Sequence, residues 1–526
     1  MCGMAVQDGN SAKAPEVPPL FSTSDQCMAC HNGLTTPAGA DVSIGSDWRA
    51  SMMANSARDP YWQAAVRRET LDHSAAQPEI ENECATCHIP MPVTQNRAAG
   101  LKSGVFSNLA AAQAAAPAGL LAADGVSCTA CHQITEKGLG TKESFTGGFV
   151  VDLQPNIGRR KIFGPFEIDK GRTTAMQSSS GFVPGAASHI ANSELCATCH
   201  TLYTHALDQS GKIVGELPEQ VPYLEWRHSG YGKTRSCQSC HMPKHENMPI
   251  TSVLGQPRER LSQHVFRAGN FFMPQVFVRY PGNLGMQALS KELNIATLQT
   301  FEHLKTSAAR LTIPNVQILA GKISAEVVIR NLAGHKLPTA YPSRRAWIHF
   351  TVRDGNGETI FESGPFRSDG SISGNDNDSD ASRYEPHYSE ISAPEQVQVY
   401  EAIMADDGGR VTTGLLKGVR YLKDNRILPM GFDKAKADSD IATQGNARDD
   451  SDFAAGGDRI RYSVNVGRAT GPYTVQAELW YQPIGYRWAQ NLRQQKAVET
   501  DRFVSIFESM ANASAVVLAQ VSAAVQ

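Results

Sequence analysis

The chain has no run of eighteen apolar residues, so no membrane-spanning helix is expected. It has no large excess of one charge: 49 Lys and Arg against 52 Asp and Glu leave a net charge of −3. No basic stripe interleaved with aromatics occurs, which removes nucleic acid as an expected partner. Hydrophobic residues reach only 41% and aromatics 7%, lean for a chain of 526 residues. Outside one recurring phrase the only cysteine is Cys2, so nothing is left over for a disulfide framework. The first residues, Met1-Cys2-Gly3-Met4-Ala5-Val6-Gln7-Asp8, lack the charged and apolar regions of a secretory signal.

What is present is Cys-x-x-Cys-His, five times. It is read at Cys27-Met-Ala-Cys30-His31, Cys84-Ala-Thr-Cys87-His88, Cys128-Thr-Ala-Cys131-His132, Cys196-Ala-Thr-Cys199-His200 and Cys237-Gln-Ser-Cys240-His241. This is the attachment phrase of c-type haem. Two thiols three positions apart can each form a thioether to one vinyl group of a porphyrin, and the next histidine becomes the proximal ligand of its iron. Disulfides and zinc also use Cys-x-x-Cys, but neither needs a histidine after every second cysteine, and paired zinc sites need an even number. With 15 histidines in 526 residues, five placements out of five are not chance. The sequence therefore predicts five covalent haem c groups, whose apolar discs supplement the lean composition. Haem is attached to such phrases outside the cytoplasm, so the chain is expected to be exported: periplasmic, attached to the outer membrane or extracellular. It then reads as a form whose signal has been removed. Cys2, ahead of the polar, Pro- and Ala-containing stretch from Gln7 to Pro19, matches a processed lipoprotein; a truncation remnant or free thiol is the alternative.

The fold class expected is α+β and multidomain. Residues 1–25 read as a flexible tether. Residues 26–309 form the haem region, irregular and helical with little strand, its phrases too unevenly spaced for a strict repeat. Asp59-Pro60 opens a helix through Leu71, and the Ala-rich run Leu109 to Ala123 is a helix interrupted at Pro117 and Gly119. A helix from about Met286 to Ala309 closes the region. From 310 to 484 the segments are short and β-branched, as in Ile323-Ser-Ala-Glu-Val-Val-Ile329 and Ala346-Trp-Ile-His-Phe-Thr-Val352, and Asp354-Gly-Asn-Gly357 signals a hairpin. These predict an immunoglobulin-like β-sandwich, with a long surface loop from Lys434 to Asp458. Residues 485–526 are expected to return as a C-terminal helix, about Gly485 to Met510, packed back on the domains.

The occupant of the second axial position of each iron decides between carrying electrons and transforming a small molecule. Ten histidines lie outside the phrases, more than five irons require. His73, His189, His264 and His335 are the leading distal candidates. His335, between Gly334 and Pro338 in a loop joining two expected strands, would reach from the β-domain onto a haem. His228, His205 and Met53 compete for the fifth position, with core packing the ordinary fate of a methionine; His245 and His303 rank below them. The acidic run Asn375-Asp-Asn-Asp-Ser-Asp380 is a calcium candidate, with a solvated turn as the preferred reading.

These phrases, with Glu194-Leu-Cys-Ala-Thr-Cys-His-Thr201 and Ser236-Cys-Gln-Ser-Cys-His-Met-Pro243, resemble the bacterial multihaem c-type cytochromes, a superfamily that includes tetrahaem carriers and pentahaem nitrite reductases. Gly334-His-Lys-Leu-Pro-Thr339 followed by Pro342-Ser-Arg-Arg-Ala-Trp347 looks like the β-domain appended to some of them, where the loop histidine ligates haem. The resemblance implies closely packed haems passing single electrons. It also implies a ligating histidine where Met53 stands, so this chain departs from the pattern there. No Cys-x-x-Cys-Lys occurs, which counts against nitrite reductase. The expected function is electron conduction, as a carrier serving redox protein partners or as a filament subunit joined to copies of itself. A small-molecule oxidoreductase acting on a nitrogen or sulfur compound at a five-coordinate haem is the alternative.

Overall fold

A computed structural model describes residues 17–153 and 157–526; Cys2 and most of the expected tether lie outside the described residues. The N-terminal region is built from short helices. Helix α1 (Pro60–Asp72) starts where the sequence placed it, because Asp59 accepts hydrogen bonds from Tyr61 N (2.8 Å) and Trp62 N (3.3 Å) and Pro60 occupies the first turn. After it come α2 (Gln77–His88) and α3 (Pro90–Ala98). The Ala-rich run forms two helices, Val105–Gln113 and Pro117–Ala123, bent by 106° at the proline. Among the described residues no single helix is long and apolar enough to cross a membrane.

Helix α4 (Ser193–His200) leads into a hairpin of β1 (Leu202–Leu207) and β2 (Ile213–Gln220), regular structure that the sequence reading of this region lacked. Helices α5 (Phe272–Arg279) and α6 (Ser290–Ser307) end the region. Its hydrophobic packing is divided: small separate clusters surround Trp62, Phe149 and Val42, beside one large core that continues into the C-terminal half.

That half contains two large sheets and a small three-stranded one with the order Val411–Thr412, Ala402–Ala405, Arg420–Asp424. The strands of the two large sheets are β3 (Ala309–Leu319), β4 (Lys322–Asn331), β5 (Arg345–Arg353), β6 (Thr359–Ser363), β7 (Glu390–Ile391), β8 (Val399–Tyr400), β9 (Gly457–Asn465), β10 (Tyr473–Gln482) and β11 (Val516–Val525). One sheet has the order β7-β9-β4-β3; the other has β6-β5-β10-β11, with β8 also on β5. The β3–β4 turn is Ala320-Gly321, both with positive φ, which glycine tolerates and alanine does not readily adopt. The Asp354–Gly357 hairpin forms as read, with Asp354 accepting from Asn356 N and Glu358 N. Alternate residues face inward: Ile323, Ala325, Val327 and Ile329 from one sheet oppose Ile348, Phe350 and Val352 from the other, all fully buried. Phe350 stacks on Tyr462 at 3.7 Å and locks the sheets together. Each such Ile, Val or Phe side chain contributes about 1.5–3 kcal/mol.

The C-terminal expectation needs correction. The segment after Gly485 is not one helix: it divides into Tyr486–Asn491 and α7 (Val498–Met510), with Thr500 bonded to Gln495 O and Ala497 O at the break. Val516–Val525 form strand β11, paired with β10, because the valines at 516, 517, 521 and 525 favour an extended, half-covered edge. Helix α7 lies on α1 through Arg67–Glu499 (2.9 Å) and Tyr61–Phe503 (4.9 Å). The stretch Lys434 to Asp458 is irregular, but Ile441, Ala447 and Phe453 anchor it in the core.

The two halves meet at buried charges. Glu225, fully buried after β2, accepts from Thr339 Oγ1 (2.5 Å) and Lys336 N (3.1 Å) and pairs with Arg426 (3.0 Å). Asp424 pairs with Arg426 and with the fully buried Lys336, both at 2.7 Å. Burial alone would raise the Asp424 carboxyl, but Arg426 and Lys336 hold it well below the usual carboxylate range. Its stabilising contribution is therefore complete above its ordinary pKa of 3.8 and is lost as pH falls below that. Replacing Glu225 by alanine is expected to cost about 3–5 kcal/mol by stranding its partners. Guanidinium denaturation between pH 3 and 7 checks both: a lower midpoint at every pH for E225A, and a wild-type midpoint that falls towards pH 3.

Candidate functional site

All five Cys-x-x-Cys-His phrases are helical: two close α2 and α4, and the others sit on the short helices Asp25–Met28, Cys128–Cys131 and Cys237–His241 or their ends. Helical spacing puts both thiols of a phrase on one side, one turn apart. The ten thiols are free. Nine of them are half-buried and Cys240 is exposed. Burial pushes Cys131 up to about 12. The phrases also touch one another. Cys27 lies near Cys128, Cys87 near Cys199, Cys196 near Cys237 and Cys131 near Cys199. The first site thus adjoins the third, and the fourth adjoins the second, third and fifth.

The phrase histidines are oriented by carbonyls. His31 Nδ1 donates to Ile250 O (2.7 Å), His132 Nδ1 to Phe163 O (2.6 Å) and His241 Nδ1 to Arg267 O. A carbonyl only accepts, so the proton is on Nδ1 and Nε2 keeps its lone pair, the form a metal needs. His88 stacks on Trp62 at 4.4 Å and 6°; the Ser56 carbonyl acts on its ring, although Nδ1 makes no hydrogen bond.

Two further imidazoles face phrase histidines. The rings of His132 and His264 are 6.2 Å apart, and those of His241 and His335 6.3 Å apart, inclined by 25° and 15°. Two imidazoles bound to one metal at about 2 Å each have centroids about 6 Å apart. His264 Nδ1 is bonded to Ser262 O (3.0 Å) and His335 Nδ1 to Lys336 O (2.9 Å), so both leave Nε2 free. Burial, with His132 alongside, pushes His264 down to about 3, so the ring is neutral. Free paired thiols, oriented imidazoles and these two facing pairs fit haem attached at the phrases.

The remaining candidates separate. His73 is buried, with Nδ1 3.3 Å from Asp208 O and Nε2 without a partner, a ligand atom still available. His189 bonds Ile134 O through Nε2 (2.8 Å), leaving only Nδ1. His228 Nε2 is committed to Asp433 O (2.9 Å) against Phe432, and ties the halves together. His205 lies on β1 opposite Glu216 (3.7 Å), its side chain 47% exposed. The Met53 carbonyl accepts from Val126 N (2.9 Å), beside the chain entering the third phrase. Among the described residues no imidazole faces His31, His88 or His200 at the distance seen for the two pairs. His303, ranked low on sequence, is 5.9 Å from His241 at 57°. The available signal was helical period: it follows Thr300 by three and Ala296 by seven on the inward face of α6. The calcium expectation finds no support. Asp378 is held by both Arg345 nitrogens (2.6 and 3.0 Å), Asp376 pairs with Arg383, and among the described residues no three His, Cys, Asp or Glu side chains converge as a metal site.

The fold is that of a multihaem cytochrome: it is similar to the crystal structure of a penta-heme cytochrome c552 from Thermochromatium tepidum, with TM-score 0.54 and 17% identity over 97% of this chain and 100% of that one. No family model matches the sequence, and no curated protein matches it.

Trp62 is only 8% exposed, and its loss removes both core packing and the support of the His88 ring. Trp62→Ala is expected to cost about 3–5 kcal/mol, whereas His205→Ala stays within about 0.5 kcal/mol; thermal unfolding of the two variants measures the contrast.

Proposed function

We propose that this protein is an exported pentahaem c-type cytochrome that conducts single electrons. The observation that carries the reading is the pairing of His132 with His264 and of His241 with His335, each 6.2–6.3 Å apart beside a Cys-x-x-Cys-His phrase. The cysteine pairs from Cys27/Cys30 to Cys237/Cys240 would hold the haems, and His31, His88, His132, His200 and His241 would be their proximal ligands. The haems supply reversible one-electron chemistry between ferric and ferrous iron. The chain contributes spacing: the cysteine contacts bring the first, third, fourth and fifth attachment positions into sequence, with the second beside the fourth. Facing imidazoles close two sites to small molecules, which favours conduction.

The two-sheet half, read as immunoglobulin-like, supplies His335 to the fifth site and so ties the fold to ligation. Whether the molecule works as a carrier, soluble or lipidated at Cys2, or as a filament subunit turns on the sites without a facing imidazole, where a filament would take a histidine from the next copy. The same sites support the second reading, an oxidoreductase acting on a small nitrogen or sulfur compound, because among the described residues no imidazole faces His200 as His264 faces His132.

Intact-mass measurement of matured protein is expected to give the polypeptide plus five haems, and the reduced protein a sharp alpha band. The bare polypeptide mass would overturn the reading. His264→Ala is expected to add a high-spin ferric signal in electron paramagnetic resonance; His228→Ala is expected to add none.

A further inference from the structure

The segment that carries His264 is laid along the chain that leaves the fifth phrase. Leu261–Ser262 pairs antiparallel with Lys244–His245, Ser262 standing opposite Lys244. Gln263 N donates to Pro243 O (2.8 Å) and Arg267 N to His241 O (3.1 Å), while Arg267 O accepts from His241 Nδ1. Residues 261–267 therefore hold the proximal histidine of the fifth site and also present, at His264, the imidazole that faces His132 of the third site at 6.2 Å. Between those two contacts lies a strained position. Phe266 has φ 46°, a left-handed conformation that a bulky residue rarely adopts. Its ring stands edge-on to the His264 imidazole (5.6 Å, 89°), whose Nδ1 is bonded to Ser262 O (3.0 Å).

We infer that Phe266 is a positioning residue shared by two haem sites: its left-handed turn sets His264 towards the third iron and the Arg267 carbonyl on the proximal imidazole of the fifth, so that the coordination of the two sites changes together. Extended backbone at 266 would rotate the Arg267 peptide, and both contacts could not then be kept. A proximal imidazole that donates Nδ1–H to a carbonyl is the stronger ligand and favours ferric iron. Loss of that acceptor raises the potential of the fifth site, and displacement of His264 leaves the third iron without its distal ligand. This inference rests on the proposed pentahaem reading and deepens it by naming what fixes two of the sites.

The test uses the full holoprotein, with haem content fixed by intact mass, and reads ferric electron paramagnetic resonance beside a spectroelectrochemical titration. His264→Ala and His335→Ala supply the reference signals and steps of the third and fifth sites. Phe266→Val, whose β-branched side chain resists positive φ, is expected to show the high-spin signal of H264A. In the same sample the fifth-site step is expected to rise by about tenfold in its equilibrium constant, about 59 mV for one electron. Phe266→Gly adopts the left-handed turn freely and is expected to keep the fifth site at its wild-type potential although the ring is lost, which a role in packing alone would not predict. A change at one site only or at neither in F266V, or an equal shift of the fifth site in both variants, overturns the inference. If F266V does not mature, a crystal structure of the wild-type holoprotein decides: positive φ at Phe266 with Arg267 O on His241 supports the inference, and negative φ or a carbonyl turned away overturns it. Wild type with five haems and any of these contrary results refutes the role of Phe266 alone, whereas wild type without haem refutes the pentahaem reading and this inference with it.

Discussion

The geometry of the site depends on a carboxylate that water does not reach. Glu225, on the haem-region side of the seam, is bonded to Lys336, Thr339 and Arg426, so the loop carrying His335 has one position relative to the phrases. Burying charges is costly, and an apolar seam would serve stability as well. The network provides direction: Lys336 N and Thr339 Oγ1 both point to one carboxylate, which fixes the residue before Lys336 on the side of His241.

The N-terminal region and the sheets solve the core problem differently. The sheets oppose rows of Ile, Val and Phe and need nothing further. The haem region has scattered small clusters, and its phrase cysteines are only half-buried or exposed. Apolar porphyrin faces set among those clusters would complete a core that 41% hydrophobic residues leave thin. The imidazoles are held ready for this by donating to carbonyls distant in sequence, His31 to Ile250 O and His132 to Phe163 O.

What the sequence displayed was chemistry with a fixed local spacing. The five phrases, the Asp59-Pro60 cap and the Asp354–Gly357 hairpin depend on neighbouring residues, and each is visible in a short window. Which imidazole faces which iron site depends on contacts between segments: His264 reaches His132 across more than a hundred positions, and no periodicity encodes that. Strand β11 was missed because its Ala and Ser positions mute the alternation that its valines carry. The acidic run at Asn375 read first as a solvated turn and second as a calcium site; it is a short, largely buried helix whose Asp378 is held by Arg345 from another strand.

The central claim is that imidazole pairs and thiol pairs enclose iron. An iron-edge anomalous map from crystals of the matured protein tests it most directly. The account predicts five peaks, one midway between His132 and His264 and one between His241 and His335. Density for water, or for zinc bound by the thiols, at those positions would contradict it.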